Sequence, residues 1–419
     1  MTATMRALAV DLVSPRGVLS TVAGGFRDEL RYGGTGSVLQ LTEVPVPERR
    51  RGWVRIRPTL AGICASDHKL LTLTAHSITL SALHGLPWQR IVPGHEIVGE
   101  VVEADPDAQV SPGDRVVAEN LVSCVHKGFA RCSRCEDSLE GLCAHFADEG
   151  TATRGGFGFG NHADYGGGWS EQLVAPEELV HPVPDDLDDR TAVLAEPTAI
   201  GVHAILSNPP ARDGRILVVG PGGIGLTLCH ALSALVPAAE VTVAGLGHFA
   251  DGLAVRAGAA HLLHGTGREL VTSAGEVLGT PVRGNRLSGP VLEDGFDVIY
   301  DTVGSEQTLN DAIRMLRPRG ELVLIATAAE RSLDLGLVWH RELSIRGTAF
   351  YGRSDVPDGA LVPGGRRREM AIALDVLGQQ RPDDLVTHVF ALGDHLEALR
   401  TSAAGPAREA VRVAFDPAA

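Results

Sequence analysis

The chain has 419 residues, too many for one ordinary hydrophobic core and suited to two domains. Its 44% apolar and 21% charged residues describe a globular protein, and a formal charge of -15 argues against a nucleic-acid partner, since dense basic runs occur only at Arg49-Arg50-Arg51 and Arg366-Arg367-Arg368. No run approaches the ~20 apolar residues of a membrane span, and the start MTATMRALAV lacks an export signal's basic flank and cleavage pattern, so no membrane association and a cytoplasmic location are expected.

The first half reads as short β-rich segments separated by turns. Met5 to Val13 resembles an initial strand, and Val54 to Pro58 alternates apolar and basic residues before a turn at Cys64. Ile97 to Val102 is a β-branched run ended by Asp105-Pro106, and Val116-Val117 follows the turn Ser111-Pro112-Gly113-Asp114. This is the pattern of a small barrel-like domain with functional loops. From about Thr191 it changes. Ala192 to Ala204 predicts a helix interrupted by Pro197, and Arg215 to Val219 is a continuous apolar strand. Further strands at Val241-Thr242-Val243, Val298-Ile299-Tyr300 and Leu322 to Ile325 alternate with helical segments such as Leu309 to Leu316, which indicates a parallel α/β sheet. A last helical stretch is expected near Arg367 to Leu377.

Six cysteines in a cytoplasmic chain argue for metal or catalytic thiols before disulfides. Cys124, Cys132, Cys135 and Cys143 follow the spacing of a closed, all-thiolate zinc site, with Cys124 its least regular member because Phe129 stands where a compact arrangement would put the first thiolate. Cys64, His95, Glu96 and Glu196 offer a second, mixed donor set of the kind that holds an open catalytic zinc. Cys229, in the apolar run Leu226 to Cys229, reads as a small buried hydrophobe.

Gly220-Pro221-Gly222-Gly223-Ile224-Gly225 gives G-x-G-x-x-G between an apolar strand and a helical stretch from Leu226 to Leu235, the signature of a dinucleotide site. The acidic residue expected at the end of the next strand is replaced by Gly245. The usual bar to a 2'-phosphate is thereby missing, and His248 or Arg256 is placed to approach one, so NAD and NADP both stay open with a lean to NADP.

Taken together, these residues resemble the medium-chain zinc-dependent dehydrogenases, in particular their polyol and threonine dehydrogenase branch. The resemblance covers nearly the whole chain and rests on Gly94-His95-Glu96-x2-Gly99, Cys64, the spaced cysteines, and Glu196-Pro197 before Val202-His203-Ala204. It implies a GroES-like catalytic domain with its zinc lobe at 1–196, a Rossmann domain at 197–345, completion of the catalytic domain at 346–419, and a homodimer or homotetramer. It further implies that Cys64 and His95 are zinc ligands, Glu96 a ligand or exchanging partner, Glu196 a further carboxylate, Ser66 the hydroxyl that takes the substrate proton, and Asp67 a support for the site. The expected reaction is hydride transfer between an alcohol, such as a polyol, cyclitol or amino alcohol, and NAD(P)+, with His68 available to relay the proton. Carbonyl reduction by the same machinery is the alternative, and a non-catalytic dinucleotide-binding protein a more distant one. The chain departs from the family pattern at Lys69, where a relay histidine is common, at Asp105, and in the long loop from Glu149 to Gly168. In that loop His162, Asp164 and Tyr165, with Trp169 next to it, either rim a substrate pocket or pack the lobe.

Overall fold

The computed structural model describes residues 3–11, 37–72, 91–146, 148, 158–162, 164–284, 289–327 and 331–419. The chain forms two units, Met1–Glu196 with Asp383–Ala419, and Pro197–Pro382. The second boundary lies at 382/383 rather than 345/346, because the helix Glu369–Gln380 packs on the helix Gly223–Leu235 and so extends the α/β unit.

The first unit is built on a seven-stranded sheet whose central strand, Trp53–Gly62, pairs antiparallel with Ile97–Glu103 on one edge and with Leu173–Pro176 and Arg412–Asp416 on the other. Register decides where function falls. Ala61 lies opposite Ile97, and the Gly62 N–H donates to Glu96 O at 2.8 Å, so the Cys64 turn and the His95-Glu96 loop leave the sheet side by side. Ala414 lies opposite Gly62 and the Ile63 N–H donates to Val413 O at 2.9 Å, which brings the last strand to the same edge. Beneath it lies a core that includes Val54, Ile56, Ile97, Val101, Trp169, Tyr165 and Phe415. The first strand is Thr4–Val10; the end of its expected range, 12–13, lies outside the described residues, as do 149–157 and 163 of the long loop.

The second unit carries a six-stranded parallel sheet. Numbered along the chain, its strands lie in the order third, second, first, fourth, fifth, sixth, which is the doubly wound Rossmann arrangement. Arg215–Val219 sits near the middle and is buried on both faces, which is why it reads as one apolar run. Pro197 does not interrupt a helix: a short turn of helix at Asp189–Ala192 ends first, and Ala195–Ser207 then begins with Pro197 in its first turn, where no backbone N–H is required. The predicted Leu309–Leu316 helix is Glu306–Met315 with Leu309 and Ile313 buried, and Leu316 already opens the next strand. Arg366 to Arg368 belong to a strand, Gly365–Arg368, before the helix, where Arg367 pairs with Asp375. Among the described residues no helix is long and apolar enough to cross a membrane.

Candidate active site and zinc lobe

Cys64 is the N-cap of a short helix, Ala65–Leu71, and Asp67 in its first turn accepts the Cys64 backbone N–H at 2.9 Å. That reciprocal cap fixes the turn that carries the thiol. The other oxygen of the same carboxylate points at His95, 3.6 Å from Nδ1, longer than a hydrogen bond but close enough to act on the ring by charge. The Ser66 hydroxyl lies 3.4 Å from His95 Nε2. One buried aspartate thus orients two loops that are 28 or more positions apart in sequence by holding Cys64 and facing His95.

The donor atoms of Cys64, His95 and Glu96 all lie within 4.8 Å of one another. Thiol, imidazole and carboxylate at this spacing fit a zinc ion held on an incomplete shell. Glu196 is not drawn into that three-donor group, although it was expected among the ligands. It is buried nearby, and burial above all pushes its carboxyl up to about 7, with His95 opposing the shift and Glu96 adding to it. Asp67 is likewise raised to about 6 by burial, against the pull of His95. His95 itself is raised well above the ordinary imidazole value: burial works against its charge, but Asp67, Cys64 and Glu196 outweigh it.

Sequence reasoning missed the cation that completes this pocket. Arg412, on the last strand, donates from Nη1 to Glu96 Oε1 at 2.9 Å, with side chains only 7% and 2% exposed. Burial lowers Arg412, yet Glu96, Cys64 and Glu196 hold it charged and raise it overall. The other Glu96 oxygen lies against Gly62, where a Cβ would overlap it, so only glycine leaves room for the carboxylate. Gly94 stands at φ +91° with Trp169 against it, a second position at which a side chain would collide. His68 turns towards the helix His395–Ala404, its Nε2 3.0 Å from the Ser402 hydroxyl, and burial pushes it down to about 4, so it is neutral at ordinary pH.

Tyr165 and Trp169 prove to be packing residues. Trp53 stacks on Tyr165 at 5.1 Å, and Trp169 meets Phe415 edge-on and donates from Nε1 to Gly62 O at 3.2 Å. His162 is fully buried beside Tyr165. Asp105 is also structural, accepting from Arg49 Nη1 and the Gly52 N–H, both at 2.7 Å.

The four cysteines of the lobe, Cys124 included, place their sulfurs within 4.8 Å of one another, and none is in a disulfide. Backbone N–H donation from Ala144 brings Cys132 down to about 6, while burial pushes Cys135 and Cys143 up. Four sulfurs gathered at this spacing, able to ionise together when a cation shares their charge, fit a closed zinc site. Lys127 lies wholly buried beside them, its Nζ donating to His145 O at 2.9 Å and to Phe146 O. Burial lowers its pKa, and the thiolates of Cys143, Cys124 and Cys135 counteract that.

In the second unit, Gly222 caps the helix Gly223–Leu235, and a Cβ there would meet nothing within 4 Å, which leaves the helix start open to a pyrophosphate. At Gly225 a Cβ would collide with Gly220 O, the close helix–strand contact the motif requires. Asp301 is also at this edge; its Oδ1 accepts the Val303 and Gly304 N–H groups, each at 2.7 Å, and shapes the adjoining turn. Gly245 packs on Pro221, and His248 lies beyond it, bonded to Asp251. Cys229 is buried, its thiol pushed up to about 12, as a packing residue would be.

An N-terminal domain with a Cys-His-Glu and a four-cysteine zinc donor set, joined to a Rossmann NAD(P)-binding domain, defines a zinc- and NAD(P)-dependent oxidoreductase. Residues 50–185 match the alcohol dehydrogenase GroES-like domain and residues 223–362 the zinc-binding dehydrogenase domain. The chain belongs to the zinc-binding medium-chain dehydrogenase/reductases. It is 27% identical over 365 residues to D-arabitol-phosphate dehydrogenase of Enterococcus avium, covering 85% of this chain and 88% of the relative. It is 27% identical over 386 residues to erythritol/L-threitol dehydrogenase of Mycolicibacterium smegmatis, covering 90% and 94%. The fold is shared with 2R,3R-butanediol dehydrogenase of Bacillus subtilis at TM-score 0.69 and 21% identity, over 99% of each chain.

Proposed function

We propose that this dehydrogenase oxidises a secondary alcohol of a polyol, cyclitol or amino alcohol, and reduces the matching carbonyl in reverse. The convergence of Cys64, His95 and Glu96 on one point, braced by Asp67 and Arg412, carries the reading. Polyol substrates are named for both curated relatives described above, which supports that substrate class. When bound, zinc supplies a Lewis acid for the substrate oxygen and the nicotinamide a hydride acceptor.

The chain's own residues then divide the remaining work. Ser66, beside His95, takes the hydroxyl proton of the substrate. His68, neutral because buried, offers a lone pair for the onward transfer, in exchange with the Ser402 hydroxyl. Asp67 keeps the His95 ring turned to the site, and Arg412 keeps Glu96 from swinging freely. Gly220, Pro221, Gly222, Gly223, Ile224 and Gly225 hold the dinucleotide. Gly245 leaves space for a 2'-phosphate, which favours NADP.

A zinc-replete screen of polyols, cyclitols, amino alcohols and their carbonyl products with both cofactors, followed by reduced-nicotinamide absorbance, tests the reading. Turnover that survives in Cys64→Ala, or none on any compound of the panel, would refute it.

The homo-oligomer is also proposed. Strand Ser344–Gly347, at the edge of the parallel sheet, has all four residues exposed, and Trp339 just before it is 82% exposed. An edge of this kind is covered by a second copy more economically than by water. Light scattering should show Trp339→Glu shifting the protein towards monomer.

A further inference from the structure

Apart from the two zinc sets, the described residues gather one more group of metal-binding side chains. The donor atoms of His248, Asp251 and His264 all lie within 4.8 Å of one another. We propose that these three residues form a third site, for a divalent transition metal, on the α/β unit.

The chain places the donors by parallel pairing. Glu240–Gly245 and His261–His264 lie side by side with His264 opposite Gly245, so the third donor, His264, emerges at the carboxyl edge of the sheet. His248 and Asp251 then fold back over that edge, the Asp251 N–H donating to His248 O at 3.2 Å. Asp251 Oδ2 is the common focus, 2.9 Å from His248 Nδ1 and 3.5 Å from His264 Nε2. The two rings are 4.0 Å apart between centroids.

That spacing suits an ion. Metal–donor bonds of ~2.0–2.2 Å in a tetrahedral shell put neighbouring donor atoms about 3.3–3.5 Å apart. Asp251 and His264 already have that separation. His248 must move outward by only a few tenths of an ångström, exchanging its hydrogen bond to Asp251 for the ion, and its side chain is 77% exposed. Two imidazoles and one carboxylate oxygen select zinc, cobalt or nickel over magnesium or calcium, and three protein ligands leave a position for water or an anion. A hydrogen-bonded turn between His248 and Asp251 does not by itself require a second imidazole, yet His264 Nε2 converges on the same carboxylate oxygen.

The test is metal uptake by the full-length protein whose cysteine-based sites are already filled. Zinc chloride is titrated in by calorimetry, the bound metal is counted by elemental analysis, and crystals are measured at the zinc absorption edge. The expected result is one further saturable equivalent per chain, with an anomalous peak between His248 and His264, weakened by about tenfold or more in both Asp251→Asn and His248→Ala. His248 is exposed, so the second variant does not endanger folding. No further equivalent, or one that persists undiminished in both variants, overturns the proposal. The count does not depend on turnover, so it can fail while the catalytic reading stands, and the reverse.

Discussion

Replacing Arg412 by methionine isolates the energetic logic of the candidate active site. The guanidinium and Glu96 are 2.9 Å apart and almost wholly inside the protein. Charges centred about 4 Å apart at an effective dielectric near 20 attract by about 4 kcal/mol, but that gain is largely spent on removing both ions from water. The pair as a whole therefore adds little, while deleting one member leaves a buried, uncompensated carboxylate at a cost of about 3–5 kcal/mol. Urea denaturation of protein stripped of its active-site zinc, where Glu96 has no metal to balance it, should show a loss of this size for Arg412→Met, and the double variant Arg412→Met with Glu96→Gln should recover most of it. Zinc content and turnover, measured alongside on the zinc-loaded protein, should fall in the single variant. A single-variant loss below about 1 kcal/mol, or a double variant that loses the sum of both singles, would refute the reasoning.

Three further outcomes are expected. Gly62→Ala puts a Cβ into the Glu96 carboxylate and should cost about 1–3 kcal/mol of stability and reduce zinc retention, read from denaturation midpoints and elemental analysis. His68 has a folded pKa of about 4, below the free imidazole value, so the unfolded chain binds more protons between about pH 4 and 6.5; stability should fall with falling pH across that window by up to about 3 kcal/mol, and His68→Gln should flatten the profile. Cys135→Ser should cost the lobe its zinc and expose residues 124–146 to limited proteolysis, with one equivalent of metal lost per chain.

The features legible in the sequence were those carried by local pattern. Arg215 to Val219 followed by glycines announces the strand, loop and helix that the structure contains, because a buried parallel strand must be continuously apolar and the loop must lack side chains. Cys64 and His95-Glu96 could be singled out by residue type, but only the Ala61–Ile97 register joins them. Arg412 gave no local signal: its significance comes from a strand pairing that spans most of the chain. Glu196 lies outside the group formed by the Cys64, His95 and Glu96 donor atoms but acts on the same site by charge, a distinction that residue type alone does not make. Lys127 was missed because a lone lysine between His126 and Gly128 looks like surface until the fold buries it beside Cys143, Cys124 and Cys135. The C-terminal boundary was misplaced because the Glu369–Gln380 helix packs on the α/β unit, a fact that depends on tertiary contact rather than on helix propensity.

The Arg412–Glu96 bond also sets an order of events during synthesis. The two residues are 316 positions apart, so a ribosome has made the thiol, the imidazole and the carboxylate long before it adds their counterion. Until then the Glu96 carboxylate lacks the guanidinium that pairs with it in the folded protein. The candidate active site is thus completed by a strand from the far end of the chain, and its full set of charges comes together only once that last strand has paired with Trp53–Gly62.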